Sequence, residues 1–137
     1  IGKAITASYA DLAERFAADA PMRPGTVVEL GGVKEITESV QELSENVFGV
    51  ISTSAGFLMN GNAGGDSTHP AVAVNGRVPV RVTGRIHKGD RLVSAGRGVA
   101  RSANRSEITA FNVIGRALED KDTDNEGTIE AIVKLNS

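Results

Sequence analysis

The sequence has no cysteine and no tryptophan, one tyrosine and four phenylalanines in 137 residues. Without thiols there is no disulfide framework and no thiolate metal site, and cysteine usage gives no sign of redox compartment. With so few aromatics, valine, isoleucine and alanine must carry the packing, and hydrophobic residues make up 40% of the chain. No apolar run approaches the roughly 18 residues of a membrane span, so membrane insertion is not expected. No basic excess is present either: the net charge is -2. Arg97, Arg101 and Arg105 are spaced along one stretch, but Glu107 and Glu119 lie nearby. Phosphate-backbone binding needs clustered Lys and Arg, so nucleic acid is not an expected partner.

What is abundant is glycine. Sixteen residues are Gly, well above the average of roughly 7%. Together with the many valines they predict short strands joined by tight turns. The length fits one domain. The expected fold is mainly β: a small barrel or sandwich of about 8–10 short strands, with one short N-terminal helix. Residues 1–7 read as a connecting arm and 8–137 as a single β-rich domain.

The helix is expected over Ser8–Asp19, "SYADLAERFAAD". Tyr9, Leu12, Ala13, Phe16 and Ala20 recur at three- and four-residue steps, with Pro21 and Pro24 beyond the end. Strands are expected over Thr26–Leu30, Val33–Thr37, Val47–Thr53, Arg91–Ser94, Val99–Ser102, Asn112–Leu118 and Thr128–Leu135. "AVAV", Asn75-Gly76 and "RVPVRV" read as a hairpin, because Asn-Gly suits a type I′ turn. On its return strand Pro79, Arg81 and Thr83 share the outward face, and Pro79 suits an edge or bulge. Asn60–Pro70, "NGNAGGDSTHP", reads as a loop.

Two stretches repeat a pattern. Gly25 opens a strand, Gly31-Gly32 turn it, and Asn46-Val47-Phe48-Gly49 opens a later one. Gly89 opens a strand, Gly96 to Gly98 turn it, and Asn112-Val113-Ile114-Gly115 opens the later one. The spacing predicts an internal duplication about a pseudo-two-fold axis, with half-units 24–56 and 88–135. Chance recurrence of Gly-turn-Val is the plainer explanation of the same pattern.

Catalytic motifs are scarce. His69 and His87 with Asp66 or Asp90 would make a metal site only if brought together, and turn histidines are the commoner reading. "GNAGG" lacks the Gly-Lys-Ser/Thr of a phosphate loop. "DTDNEG" lacks the spaced ligands of a calcium loop, and no GxSxG elbow is present. Asp11 and Glu14, three apart on the expected helix, would share a face as an acid–base pair. Acids at a helix start also serve the helix dipole. No metal or other cofactor is expected.

In the order of its segments the chain resembles the C-terminal domains of bacteriophage tail-fibre and virion appendage proteins. The matching words are "YADLAERFAADAPMRPGTVVELGG", "VFGVISTSAGFLMN", "VAVNGRVPVRVTGRIHKGDRLVSAGRGVA", "NVIGRALED" and "GTIEAIVKL". The resemblance implies a non-enzymatic structural module of the virion that trimerises and caps a fibre or appendage. It implies homotrimer contacts, other virion proteins or a fibre shaft as partners, and a host surface receptor. Ile1, Ile5, Pro79, Arg81 and Thr83 are the expected subunit contacts. Asn60, Asn62, Asp66 and His69 are the expected receptor loop. The chain is similar as well to the autocleaving chaperone domain of phage appendages. That likeness implies self-cleavage near Ala7–Asp11 with Asp11 and Glu14 as the acids, although Leu12 stands where that family tends to carry an aromatic.

Overall fold

The computed structural model describes residues 11–134. Its strands are β1 Asp11–Arg15, β2 Val27–Leu30, β3 Ile36–Glu38, β4 Val47–Ser52 and β5 Phe57–Met59. They continue with β6 Ala71–Val82, β7 Arg91–Gly96, β8 Val99–Ser102, β9 Gly115–Ala117 and β10 Gly127–Lys134. The only helical element among the described residues is a single 3-10 turn, Arg105–Glu107.

From Asp11 on, the expected N-terminal helix is instead a strand, β1, followed by irregular chain through Asp19. Asp11 and Ala13 are buried while Leu12 and Glu14 are only half-buried, a period of two rather than 3.6. β1 lies between two partners, parallel to β5 and antiparallel to β6. The helix preference of Ala, Leu and Glu amounts to tenths of a kcal/mol per residue, and two flanking strands outweigh it. The expected Asn75–Gly76 hairpin is also absent. Both residues lie inside β6, where Asn75 pairs with Leu12 and Lys134, and Gly76 with Asp11 and Val133. Here the strand passes from one partner to the next. A bulge skips Val74 opposite Leu12/Ala13, and Gly76 holds a φ of 105°, open to glycine at little cost.

β6 belongs to two sets of strands. Its second half closes a ring of five: β6 beside β8, β8 beside β7, β7 beside β9, β9 beside β10, and β10 back on β6. Its first half lies between β1 and β4, with β2 and β3 following β4. The chain just beyond β1 meets β3 through a parallel bridge, Ala18 to Ile36, so these strands also form a ring.

The two rings use the same bonds. The parallel bridge Ala18–Ile36 in the first has its counterpart in Val82–Ala100 in the second. Gly25 N–H donates to Ile51 O at 2.9 Å, and Gly89 N–H to Ala117 O at 2.8 Å. Ile51 N–H meets Thr26 O as Ala117 N–H meets Asp90 O, both at 2.9 Å. Ser39 N–H meets Val27 O at 2.9 Å, and Ala103 N–H meets Arg91 O at 3.0 Å. The interiors correspond as well. Ala18, Val28, Ile36, Ile51 and Val72 form the small cluster of the first ring. Their counterparts Val82, Leu92, Ala100, Ala117 and Ala131 belong to the large one. The recurring unit starts with a strand before residue 24, because β1 plays for the first ring the part β6 plays for the second.

Gly49 and Gly115 are counterparts for a steric reason. A Cβ on Gly49 would come within 2.5 Å of Ala73 O, and one on Gly115 would collide with Ile132 O. Neither backbone can retreat without breaking a ladder. We expect Gly49→Ala and Gly115→Ala each to lower unfolding free energy by about 1–3 kcal/mol. Gly65, whose added Cβ would meet nothing within 4 Å, should change it by less than about 0.5 kcal/mol. Denaturant melts of the three alanine variants check this.

Candidate functional site

Where the rings meet, the surface opens into a cleft of about 280 Å³ bordered by Asp11, Ser52, Ser54, Arg77, Pro79 and Glu130. Asp11 is 5% exposed and Ser52 6%. Ser52 Oγ donates to Asp11 Oδ2 at 2.6 Å across 41 positions of sequence. Burial of the carboxylate is thus matched by a short charge-assisted bond. At the mouth Arg77 and Glu130 face each other at 3.6 Å. Neither histidine borders this cleft, so Ser52 has no imidazole base here.

Glu14 does not join Asp11. On a strand, residues three apart lie on opposite faces, so the pairing that a helix would give is lost. Pro79 is exposed and borders the cleft. It sits opposite Glu130 of β10. The neighbouring amide of the same parity, Arg81 N–H, points away from β10 to Gly25 O at 3.0 Å. Proline's missing donor therefore falls on the side that β4 has already left. Ile1 and Ile5 lie outside the described residues.

Arg81 is not an outward contact. It is 9% exposed, because the turn before β2 covers that face of β6. Its Nη1 donates to Thr26 Oγ1 at 3.0 Å, and Nε and Nη2 both reach Glu126 Oε2, at 3.2 and 2.8 Å. One side chain thus ties the first ring's turn to the chain entering β10. The Arg81 hydrogen bond, with the charges of Arg81, Arg23 and Arg97 behind it, holds the Glu126 carboxyl below the usual range. Thr83, half-buried, donates its N–H to Ala100 O at 2.9 Å.

The loop 60–70 is held down by Arg15. Its Nη1 meets Asp66 Oδ1 at 2.7 Å and His69 O at 2.8 Å, while Asn60 Nδ2 donates to Arg15 O at 3.1 Å. His69 Nδ1 lies 3.0 Å from Thr68 Oγ1. Asn62 is exposed. His87 and Asp90 form one turn, through His87 N–H on Asp90 Oδ2 at 2.8 Å, with His69 on the separate loop. Among the described residues no three of His, Cys, Asp and Glu converge as a metal site would need.

Sequence reasoning missed the Arg81–Glu126 clamp and the Asp11–Ser52 bond, since each joins residues more than 40 apart. It placed Glu107 near Arg101 without seeing the bond. Arg101 forks onto Glu107, Nη1 to Oε1 at 3.0 Å and Nη2 to Oε2 at 2.8 Å, and its Nε reaches Glu42 at 2.9 Å.

Three solved structures share this arrangement. The C-terminal fragment of bacteriophage phi29 gene product 12 matches with a TM-score of 0.63 at 18% identity, over 90% of this chain and 100% of that one. Pre-mature phi29 gene product 12 matches with a TM-score of 0.65 at 17% identity, over 92% of this chain and 22% of that one. The fold is that of phage phi29 gene product 12. The N base of the phi29 head fibre gp8.5 also matches, with a TM-score of 0.51 at 17% identity over 88% of this chain and 91% of that one. No protein-family model and no curated protein matches the sequence. At these identities the likeness is one of fold, and it agrees with the resemblance carried by the order of sequence words.

The Arg101 hydrogen bond, helped by the Asn104 N–H, pulls the Glu107 carboxyl from 4.5 down to about 2. A carboxyl lowered on folding stabilises the fold above its unfolded value, and the contribution is lost as pH falls from 4.5 through about 2. NMR titration of the Glu107 side chain should give a midpoint near 2. Arg101→Gln should raise it towards the ordinary glutamate range, with the Asn104 N–H still holding it somewhat low.

Proposed function

We propose that this chain is a structural module of a virion, a C-terminal domain that trimerises and caps a tail fibre or appendage. The observation that carries the reading is the match that takes in the whole of a phage C-terminal fragment and 90% of this chain. The physical design suits such a part. Two rings built on one shared strand make a stiff block, and the arginines of the joint are spent on structural ties. Phe57 and Leu58 on the short strand β5 remain exposed, as do Val40 and Phe111, leaving apolar surface for contacts between copies. The paired bonds of the two rings further support descent from one duplicated unit. Light scattering of the purified chain should give three times the mass of one chain. A monomer at high concentration rejects the trimer.

A second reading, self-cleavage, is favoured by the Asp11–Ser52 bond. A buried carboxylate beside a hydroxyl, next to the Ala10–Asp11 peptide, can hold and move a proton there. One of the similar structures is described as a pre-mature protein. A chain extended upstream of Ile1 should then yield two fragments on a denaturing gel, and Asp11→Asn should leave it whole. If the extended wild-type chain stays whole, the self-cleavage reading fails.

A further inference from the structure

The first ring has a second buried face. Val27, Val47, Val50 and Ala73 lie on the side of β2, β4 and β6 opposite that ring's own interior, and they belong to the large cluster. The second ring therefore packs on them. The joint is completed by a strand: Arg81 N–H donates to Gly25 O at 3.0 Å.

The shared bonding scheme identifies the same face on the second ring. The counterparts of those four residues are Arg91, Val113, Arg116 and Ile132, and Gly89 stands for Gly25. No third ring covers them among the described residues. Arg91 and Arg116 are exposed, Val113 is half-buried and Ile132 is 37% exposed. With Lys88, Leu118 and Lys134, the residues Val113, Arg116 and Ile132 border an open groove whose floor is apolar, and Arg91 stands beside it as the cross-strand partner of Arg116. At Gly89 O a side chain replaces the strand donor: Arg116 Nε and Nη2 reach it at 2.9 and 2.8 Å.

The opposite end of the molecule carries the complementary edge of such a joint. β1 is the counterpart of the strand that closes the joint, and its free edge is covered by β5, an extended segment. So Gly25 O is met by β6, the edge of β1 by β5, and Gly89 O by an arginine alone.

The charge on the open face narrows the occupant. Arg91 and Arg116 are direct cross-strand neighbours, where like charges repel. Among the described residues neither meets a carboxylate. The nearby acids are engaged: Asp120 accepts Lys88 N–H at 2.7 Å, Glu119 accepts Glu130 N–H at 3.1 Å, and Asp90 accepts Ser102 Oγ–H at 2.8 Å.

We propose that the open face of the second ring docks an extended strand of a different polypeptide, whose carboxylate meets Arg91 and Arg116 and whose backbone N–H takes Gly89 O from the Arg116 side chain. Lateral pairing of this kind uses the main chain for affinity and alternate side chains for selection.

The test uses the chain's own closing strand as a template. A synthetic peptide copying Arg77–Thr83 with Arg77→Glu and Arg81→Glu, and its unaltered counterpart, are titrated into the intact isotope-labelled protein. The acidic peptide should shift the amides of Gly89, Arg116 and Ile132 with a dissociation constant below about 1 mM. The unaltered basic peptide should bind at least about tenfold more weakly. Arg91→Glu with Arg116→Glu, both at exposed positions, should reverse that order. Absence of shifts at these amides, or an unchanged order in the double variant, overturns the proposal. So does movement of the same amides with protein concentration alone, which would make the occupant a second copy. A trimer that leaves these amides unmoved supports the docking face and the capping role together.

Discussion

A strand of twelve residues, β6, has to serve two rings at once, and much of the architecture follows from that demand. Side chains alternate along a strand, so a straight β6 would keep Val72, Val78, Val80 and Val82 on one side. Instead Val72 faces the small interior, and Val78, Val80 and Val82 face the large one. The bulge at Val74 and the 105° φ of Gly76 re-aim the ribbon between them. Ala73, on the other side, already points into the large cluster. The rings are thus neighbours through one continuous backbone, and the first ring's outer face is part of the second ring's core. That is a rigid connection, since slipping either ring would move valines out of both interiors.

This constraint also decides where charge can sit. Arg81 lies on β6 at the joint, where the first ring covers it, and it survives there because Thr26 and Glu126 occupy its donors. Arg15 plays a similar part at the far end by holding the 60–70 loop. Its Nε is buried without a hydrogen-bond partner. A buried arginine is costly unless its fork is filled. The ties around the joint and the loop add directional bonds, which resist shear that apolar contacts alone would permit.

Much of the sheet was legible in the sequence. Strands β2, β4, β7, β8 and β10 stand close to where alternation and turn residues place them. The recurring glycines were legible as a pattern, and two of them, Gly49 and Gly115, guard close approaches to Ala73 and Ile132. The errors share a cause. "DLAERFAA" carries helical propensity, and Asn75-Gly76 carries turn chemistry, but both lie where strands from distant parts of the chain converge. Local preference says nothing about those partners. Arg81 looked outward by alternation alone, and only the neighbouring ring makes its face an inside one. The Asp11–Ser52 bond, spanning 41 positions, leaves no local trace.

Likeness between the rings explains the fold, whereas their differences point to use. Where bonding scheme and interior agree, both copies answer to the same packing problem. Where they diverge, packing no longer dictates the residue. Val27 and Val50 are buried at 0%, and their counterparts Arg91 and Arg116 are exposed cations side by side on paired strands. Ser52 binds a buried carboxylate in the first ring, and its counterpart Leu118 borders an apolar groove in the second. Solvent exposure alone would have replaced valines with residues of mixed charge. Two adjacent arginines, an apolar floor and a carbonyl held by a guanidinium instead keep the geometry of the internal joint while inverting its charge demand, and that combination favours a surface kept for contact over one merely left bare.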